Sequence, residues 1–167
     1  MTVRVRSDVP SLRTARLVRE VEESFRRACE RGRFRLGHYS IQANHVHLIV
    51  EAASAVDLGR GMKSLGSRLT RAVNRVFARR GAVLADRFHL HVLRTPREVR
   101  NALAYVLLNA RRHAAKLGRR LSRTTTVDPA SSGRWFDGWR PPPAQRVVGD
   151  PPAVARARTW LLRLGWR

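Results

Sequence analysis

The chain has 167 residues, 43% of them hydrophobic, and a formal net charge of +22. That length and apolar share suit one packed domain with a tail and exclude a disordered chain. The single cysteine, Cys29, excludes an intrachain disulfide and a cysteine metal cluster, and the charge points to a polyanionic partner, nucleic acid first.

Residues 2 to 6, TVRVR, alternate and read as a strand. Ser11 is a candidate cap for a helix in which Val18, Val21, Phe25 and Ala28 recur at helical spacing, with Gly32 as its stop. FRLGHYSI, residues 34 to 41, and HVHLIVE, residues 45 to 51, read as a hairpin joined by Gln42-Ala43-Asn44. Ser54 and Asp57 mark a helix start. Leu58, Met62, Leu65, Leu69, Val73, Val76 and Phe77 then form one apolar stripe to about residue 80, and Gly81 ends it. A further strand is expected around residues 88 to 94. Thr95-Pro96-Arg97-Glu98 opens a last helix, with Thr as N-cap, Pro in the first turn and Glu at the third position. It is expected to run to about Lys116, with His113 facing its C-terminal dipole and Gly118 ending it.

The order β-α-β-β-α-β plus a third helix predicts an α+β fold: a ferredoxin-like sandwich with an additional tyrosine-bearing helix and a loop-rich C-terminal tail. The first and third strands should be central, and the valine and leucine face of the third should meet the first two helices. The domain is expected over residues 1–118. Residues 119–167, rich in Ser, Thr, Gly and Pro with Trp135, Phe136 and Trp139 as anchors, read as a tail with a short helix near 154–164.

The third strand carries the first chemical signal. His45 and His47 stand two apart, so both imidazoles share one face, while Val46, Leu48 and Val50 share the other. The last helix carries the second. Tyr105 and Asn109 are four apart, one turn or about 6 Å along the axis. Two imidazole nitrogens and one amide oxygen could hold a divalent ion with positions left open, and such an ion can polarise a phosphoryl oxygen. A neighbouring phenol can attack a phosphodiester, provided a cation or base helps remove a proton whose ordinary pKa is about 10.

At these residues the chain resembles the single-tyrosine HUH transposases, closest to the REP-associated tyrosine transposases. The matching stretches are NHVHLIVEA, GRGMKSLGSRLTRAVNR, ADRF at residues 85 to 88, and TPREVRNALAYVLLNARRH. His45-Val46-His47 matches the HUH motif and Tyr105 through Asn109 the family's Tyr-x-x-x-Asn. Asn109 is followed by Ala110 where relatives often carry proline. The resemblance implies a metal-dependent single-stranded DNA endonuclease and strand-transferase acting at hairpin-associated sites. Tyr105 would be the nucleophile, forming a 5′-phosphotyrosine; His45, His47 and Asn109 would hold Mg²⁺ or Mn²⁺. It also implies a basic residue near the active site at Arg87, which would either grip phosphate or pair with Asp86.

Arg60, Arg68, Arg71 and Arg75 share one helix, and Arg60, Arg68 and Arg71 are taken with Arg87 as candidate DNA contacts. His89-Leu90-His91 is a rival His-x-His but lacks the surrounding motif residues. His38 and Tyr39 should face opposite ways. Trp135 and Trp139 are expected to clamp the tail rather than stack bases. The competing reading is a non-catalytic basic module that binds RNA or single-stranded DNA on a ferredoxin-like sheet. Single-stranded or hairpin DNA is the expected partner of a monomer or homodimer. No window reaches the roughly 18 apolar residues of a membrane span. MTVRVRSDVP lacks a signal-peptide core, so a cytoplasmic, nucleoid-associated setting is expected.

Overall fold

The computed structural model describes residues 1–109, 127–140 and 151–167. Its sheet is built from β1 (Thr2–Arg4), β2 (Glu30–Arg31), β3 (Phe34–Ile41) and β4 (His45–Ala52), all antiparallel, in the order β1-β4-β3-β2. Among the described residues three α-helices accompany it: α1 (Ala15–Arg26), α2 (Ala55–Val76) and α3 (Pro96–Leu107). The His-x-His strand, β4, lies between β1 and β3 as expected. Its register sets Thr2 opposite His47 and Ser40 opposite the same histidine on the other side.

The expected strand over 88–94 is not formed as a ladder. Only isolated bridges join this part of the chain to the β1 side, Leu84 to Val5 and His89 to Thr2. Past Thr2 the next residue, Met1, is turned to β4, where its amino group and carbonyl bond Leu48. Leu90 and Val92, within the expected strand, stand 51% and 55% exposed. The bridging segment still occupies the outer position beside β1, so the layout keeps the ferredoxin-like order with a reduced fourth strand.

Local chemistry explains the helices. Thr14, not Ser11, caps α1: its side chain accepts from the Leu17 N–H. The helix ends at Arg26, and Gly32, at φ +58°, makes the tight turn of the β2–β3 hairpin instead. Ser54 caps α2 by accepting from the Asp57 N–H. Thr95 and Glu98 form the expected reciprocal capping box of α3.

α1 and α2 cover one face of the sheet. Leu17, Val21 and Phe25 from α1 and Met62, Leu65, Leu69 and Val73 from α2 pack with Val46 and Leu48. Each such side chain contributes about 1.5–3 kcal/mol of burial. Gly61 lets α2 approach closely, since a Cβ there would come within 2.1 Å of the Phe34 ring. A register shift between Leu36 and His38 reverses the alternation of β3. Phe34 and Leu36 before it, and Tyr39 and Ile41 after it, therefore all enter this core.

The opposite face belongs to α3 and the C-terminal segments. Ile49, in line with the histidines, packs with Val99, Leu103, Val106, Leu107 and Leu162. Residues 127–140 and 151–167 are tied to the body by long-range polar contacts. Arg13 grips Asp128 with both guanidinium nitrogens at 3.0 and 2.8 Å, and Ser132 Oγ accepts from the Tyr39 N–H at 3.0 Å. Glu51 accepts from the N–H groups of Arg158 and Thr159, both at 2.9 Å, ahead of a π-type turn at Leu161–Gly165. Trp135 packs on the main core, and Trp139 donates from Nε1 to the Gly133 carbonyl at 2.7 Å. Both tryptophans act as clamps, as expected.

Candidate functional site

Strand alternation brings His45 and His47 side by side, and the sheet fixes how they meet. Their Nε2 atoms are 2.9 Å apart and their rings stand edge to face at 77°. His45 Nδ1 donates to Asn44 Oδ1 at 2.8 Å. An amide oxygen only accepts, so the proton of a neutral His45 sits on Nδ1 and Nε2 keeps its lone pair. His47 Nδ1 lies 3.0 Å from Thr2 Oγ1, a hydroxyl able to accept in the same way. In that tautomer two lone pairs face each other, and a shared proton or a metal ion between them removes the repulsion. At metal–nitrogen distances of about 2.1 Å, two ligands at right angles stand about 3 Å apart, so the separation of the two nitrogens is compatible with a shared ion.

Thr2 and Asn44 are the polar groups that the sequence did not single out. Both hold the far nitrogen of a histidine, the usual device for fixing a ligating ring. Asn44 directly precedes His45 and was legible by adjacency. Thr2 becomes visible only once the register of β1 on β4 is known.

α3 brings Tyr105 to this pair. Val99, Leu103, Val106 and Leu107 bury the inner side of the helix, leaving Tyr105 on its flank at 42% exposure. Its ring meets that of His47 edge to face, with centroids 4.9 Å apart. A cavity of about 1180 Å³ runs from His47 and Tyr105 along β4 towards Glu51, walled by Leu90, Val92 and Ala102.

Asn109 departs from the expected geometry. The helix stops at Leu107; Leu108, at φ −105° and ψ 12°, is its C-cap, so Tyr105 and Asn109 do not lie on one uninterrupted helical face. Asn109 is buried, and its Nδ2 has no hydrogen-bond partner among the described residues. The two ends of an amide are near-isosteric, so the reversed rotamer would turn Oδ1 to that place, where an oxygen suits a cation or a donor. The expected continuation to Lys116, the dipole role of His113 and the stop at Gly118 lie outside the described residues.

The candidate DNA arginines divide. Arg87 is exposed on the segment that bridges to β1, and it makes no ion pair with Asp86. Arg60, Arg68 and Arg71 are carried by α2, on the face of the sheet away from the tyrosine. Of the two flanking residues in β3, His38 bonds Ser132 Oγ at 3.2 Å on the histidine side, while Tyr39 is fully buried and donates to Glu22 at 3.0 Å. Both have structural roles. Among the described residues, His, Cys, Asp and Glu form no group of three or more that could hold a metal, and His89 and His91 join none.

Fold and site together define a class: an α+β protein whose central strand presents a His-x-His pair to the tyrosine of a later helix. The solved structure of a REP-associated tyrosine transposase bound to a REP hairpin shares the fold, with a TM-score of 0.50 and 19% identity. The likeness covers 67% of this chain and 65% of that one, so this chain spans just under two thirds of that protein. No curated relative matches. The model of the IS200-like transposases matches residues 3–105, from the first strand to the tyrosine, and the chain belongs to that family.

Proposed function

We propose that the chain is a divalent-metal-dependent endonuclease and strand-transferase of single-stranded DNA, acting at hairpin-associated sites through a covalent phosphotyrosine. The observation that carries this reading is the exposed Tyr105 ring set 4.9 Å from the ring of His47. His45 Nε2, His47 Nε2 and the Asn109 amide oxygen would hold Mg²⁺ or Mn²⁺, the histidine nitrogens favouring manganese. When bound, the ion supplies charge neutralisation at the non-bridging phosphate oxygens.

Tyr105 Oη attacks the phosphorus in line with the departing 3′-oxygen. The P–O3′ bond breaks, a P–O bond to tyrosine forms, and the phenol's proton leaves to solvent or a bound base while the 3′-oxygen acquires one. One strand then ends in a 3′-OH, and the other is held by its 5′-phosphate. Attack by a second 3′-OH reverses the chemistry and reseals DNA without ATP. Thr2 and Asn44 hold the imidazoles in register, and Arg60 and Arg87 are proposed phosphate contacts. No helix among the described residues is long and apolar enough to cross a membrane, and the proposed substrate places the protein with the nucleoid in the cytoplasm.

The competing reading, a passive RNA or single-stranded DNA binder, is less well supported. Such sheets stack bases on exposed aromatics, whereas the equivalent central strand here offers two imidazoles. A labelled hairpin oligonucleotide incubated with Mn²⁺ or Mg²⁺ tests the proposal on a denaturing gel. Wild-type protein should form a covalent adduct and Tyr105→Phe should form none while still binding the hairpin. An adduct with that variant would remove Tyr105 as nucleophile, and no adduct with wild type under any divalent metal would favour the passive binder.

A further inference from the structure

Alternation along β4 puts four residues on its histidine face: His45, His47, Ile49 and Glu51. The first two form the candidate metal pair, and Ile49 packs under α3. Glu51 is half-buried and has no part in the chemistry proposed above. Its carboxylate takes three donors from one short piece of chain. Oε2 accepts from the Arg158 N–H and Oε1 from the Thr159 N–H, both at 2.9 Å, and the Thr159 hydroxyl donates to Oε1 as well. These donors stand just ahead of the π-type turn at Leu161–Gly165, where backbone N–H groups lack partners within the turn itself. Bonds from N–H to a carboxylate are roughly twice as strong as neutral ones.

The turn packs against α3. Leu162 is buried with Ile49, Val99, Leu103, Val106 and Leu107, and Leu161 and Trp166 pack beside them. Leu162 also fills the space over Gly37 of β3, where a Cβ would come within 3.0 Å of its Cδ2. Arg100, on α3, donates from Nε to the Trp166 carbonyl at 2.8 Å, and Trp166 Nε1 donates to the Leu162 carbonyl at 3.0 Å. Polar contacts thus run from β4 through Glu51, Thr159 and the turn to α3. That helix has 12 residues, a length that is marginal for a helix on its own, so its placement depends on what packs around it. Tyr105 lies two residues before its end and meets the His47 ring edge to face at 4.9 Å. Misplacing a reacting group by about 1 Å costs on the order of 100-fold in rate.

We propose that Glu51 is a positioning residue for Tyr105. By clasping residues 158 and 159 it seats the C-terminal turn, and the turn holds α3 where the phenol meets the histidine pair. The proposal rests on the reading of Tyr105 as the nucleophile and adds the group that aims it. It also gives a task to a part of the chain beyond residues 3–105, the stretch that the family model matches. Glu51 acts at a distance: the same strand that displays the imidazoles also fixes, through its far end, the helix that delivers the phenol.

The test reads the tyrosine itself, first without DNA. The chain has two tyrosines, so labelling with 3-fluorotyrosine gives two fluorine resonances, and Tyr105→Phe assigns them. Tyr39, sealed in the other core, is the internal reference. Glu51→Ala should shift or broaden the Tyr105 resonance and leave that of Tyr39 in place. Glu51→Gln keeps one acceptor oxygen for Thr159 and should restore most of the wild-type position. Thr159→Val removes the hydroxyl but keeps both backbone donors, so it should move the resonance in the same direction by less, and it carries the test if Glu51→Ala fails to fold. With hairpin DNA and Mn²⁺, the rate of adduct formation at saturating DNA should fall about 10–100-fold in Glu51→Ala and largely recover in Glu51→Gln, with hairpin affinity in EDTA little changed. A residue that serves stability alone would lower the melting temperature and leave both the Tyr105 resonance and the rate per folded molecule as in wild type; that result would overturn the proposal. A Tyr105 resonance that stays in place in every folded variant would do the same. If the resonance moves as expected while wild type forms no adduct, the seating of α3 by Glu51 is supported and the nucleophile reading is what falls.

Discussion

The two faces of the sheet differ in how they are made. The face under α1 and α2 is closed mostly by aliphatic and aromatic side chains from the first ninety residues, with Ala130, Ala153 and Val154 added from beyond them. The face under α3 is assembled from β4, a helix some fifty residues later, and segments beyond residue 127, and it leaves a cavity beside two imidazoles and a phenol. The first face is stability without chemistry. The second leaves a cavity, and its polar groups are held by specific partners such as Thr2 and Asn44.

This contrast sets the expected outcomes. The largest falls on the open face: His47→Ala should lower the yield of covalent adduct more than about 100-fold on denaturing gels, while thermal melting shows the fold intact. A collapse of the fold instead would make the histidine a core residue and erase the contrast. On the closed face, Leu65→Ala should cost about 2–5 kcal/mol in denaturant unfolding, because a fully enclosed side chain leaves a cavity. Adduct formation per folded molecule should persist. Thr2→Val keeps shape and removes the hydroxyl at His47; metal affinity measured by titration should fall about 10–100-fold, with stability little changed.

The smallest effect is a pH dependence. Burial pulls the His38 imidazole down from 6.5 to about 4, the charge of Asp137 opposing only in part. The folded protein therefore leaves His38 neutral at acidities where the unfolded chain protonates it. Stability is full above pH 6.5 and declines as pH falls from there towards 4, by about 2 kcal/mol at pH 5. His38→Gln should flatten the melting profile between pH 6.5 and 4.5, and an unchanged profile would mean that another group sets it.

What the sequence revealed follows the same division. Period-two alternation in HVHLIV, the stripe along α2 and the caps at Ser54 and Thr95 are local signals, and each forms where it was read, except that α2 ends at Val76, short of the expected stop at Gly81. The strand expected over 88–94 forms only an isolated bridge, from His89 to Thr2, and no ladder. A local pattern reports a preference, and a strand also needs a partner for its backbone. The break at Leu108 and the burial of Asn109 were hidden because helical periodicity continues through them in the sequence. The Ser, Thr, Gly and Pro-rich stretch after residue 119 read as loop. Its described parts are irregular yet anchored, through pairs such as Arg13 with Asp128 whose separation along the chain leaves no local trace.

The central claim is that a phenol on a late helix attacks phosphorus beside two imidazoles on the middle strand. The chain has two tyrosines, which makes a clean choice possible. Tyr39 is sealed in the core, and burial followed by Glu22 pushes its phenol well above the ordinary value. Tandem mass spectrometry of the protein after reaction with hairpin DNA and Mn²⁺ decides between them. The account predicts a 5′-phosphonucleotide on the peptide containing Tyr105. A nucleotide on Tyr39 or on a non-tyrosine residue, or one linked through a 3′-phosphate, would contradict it.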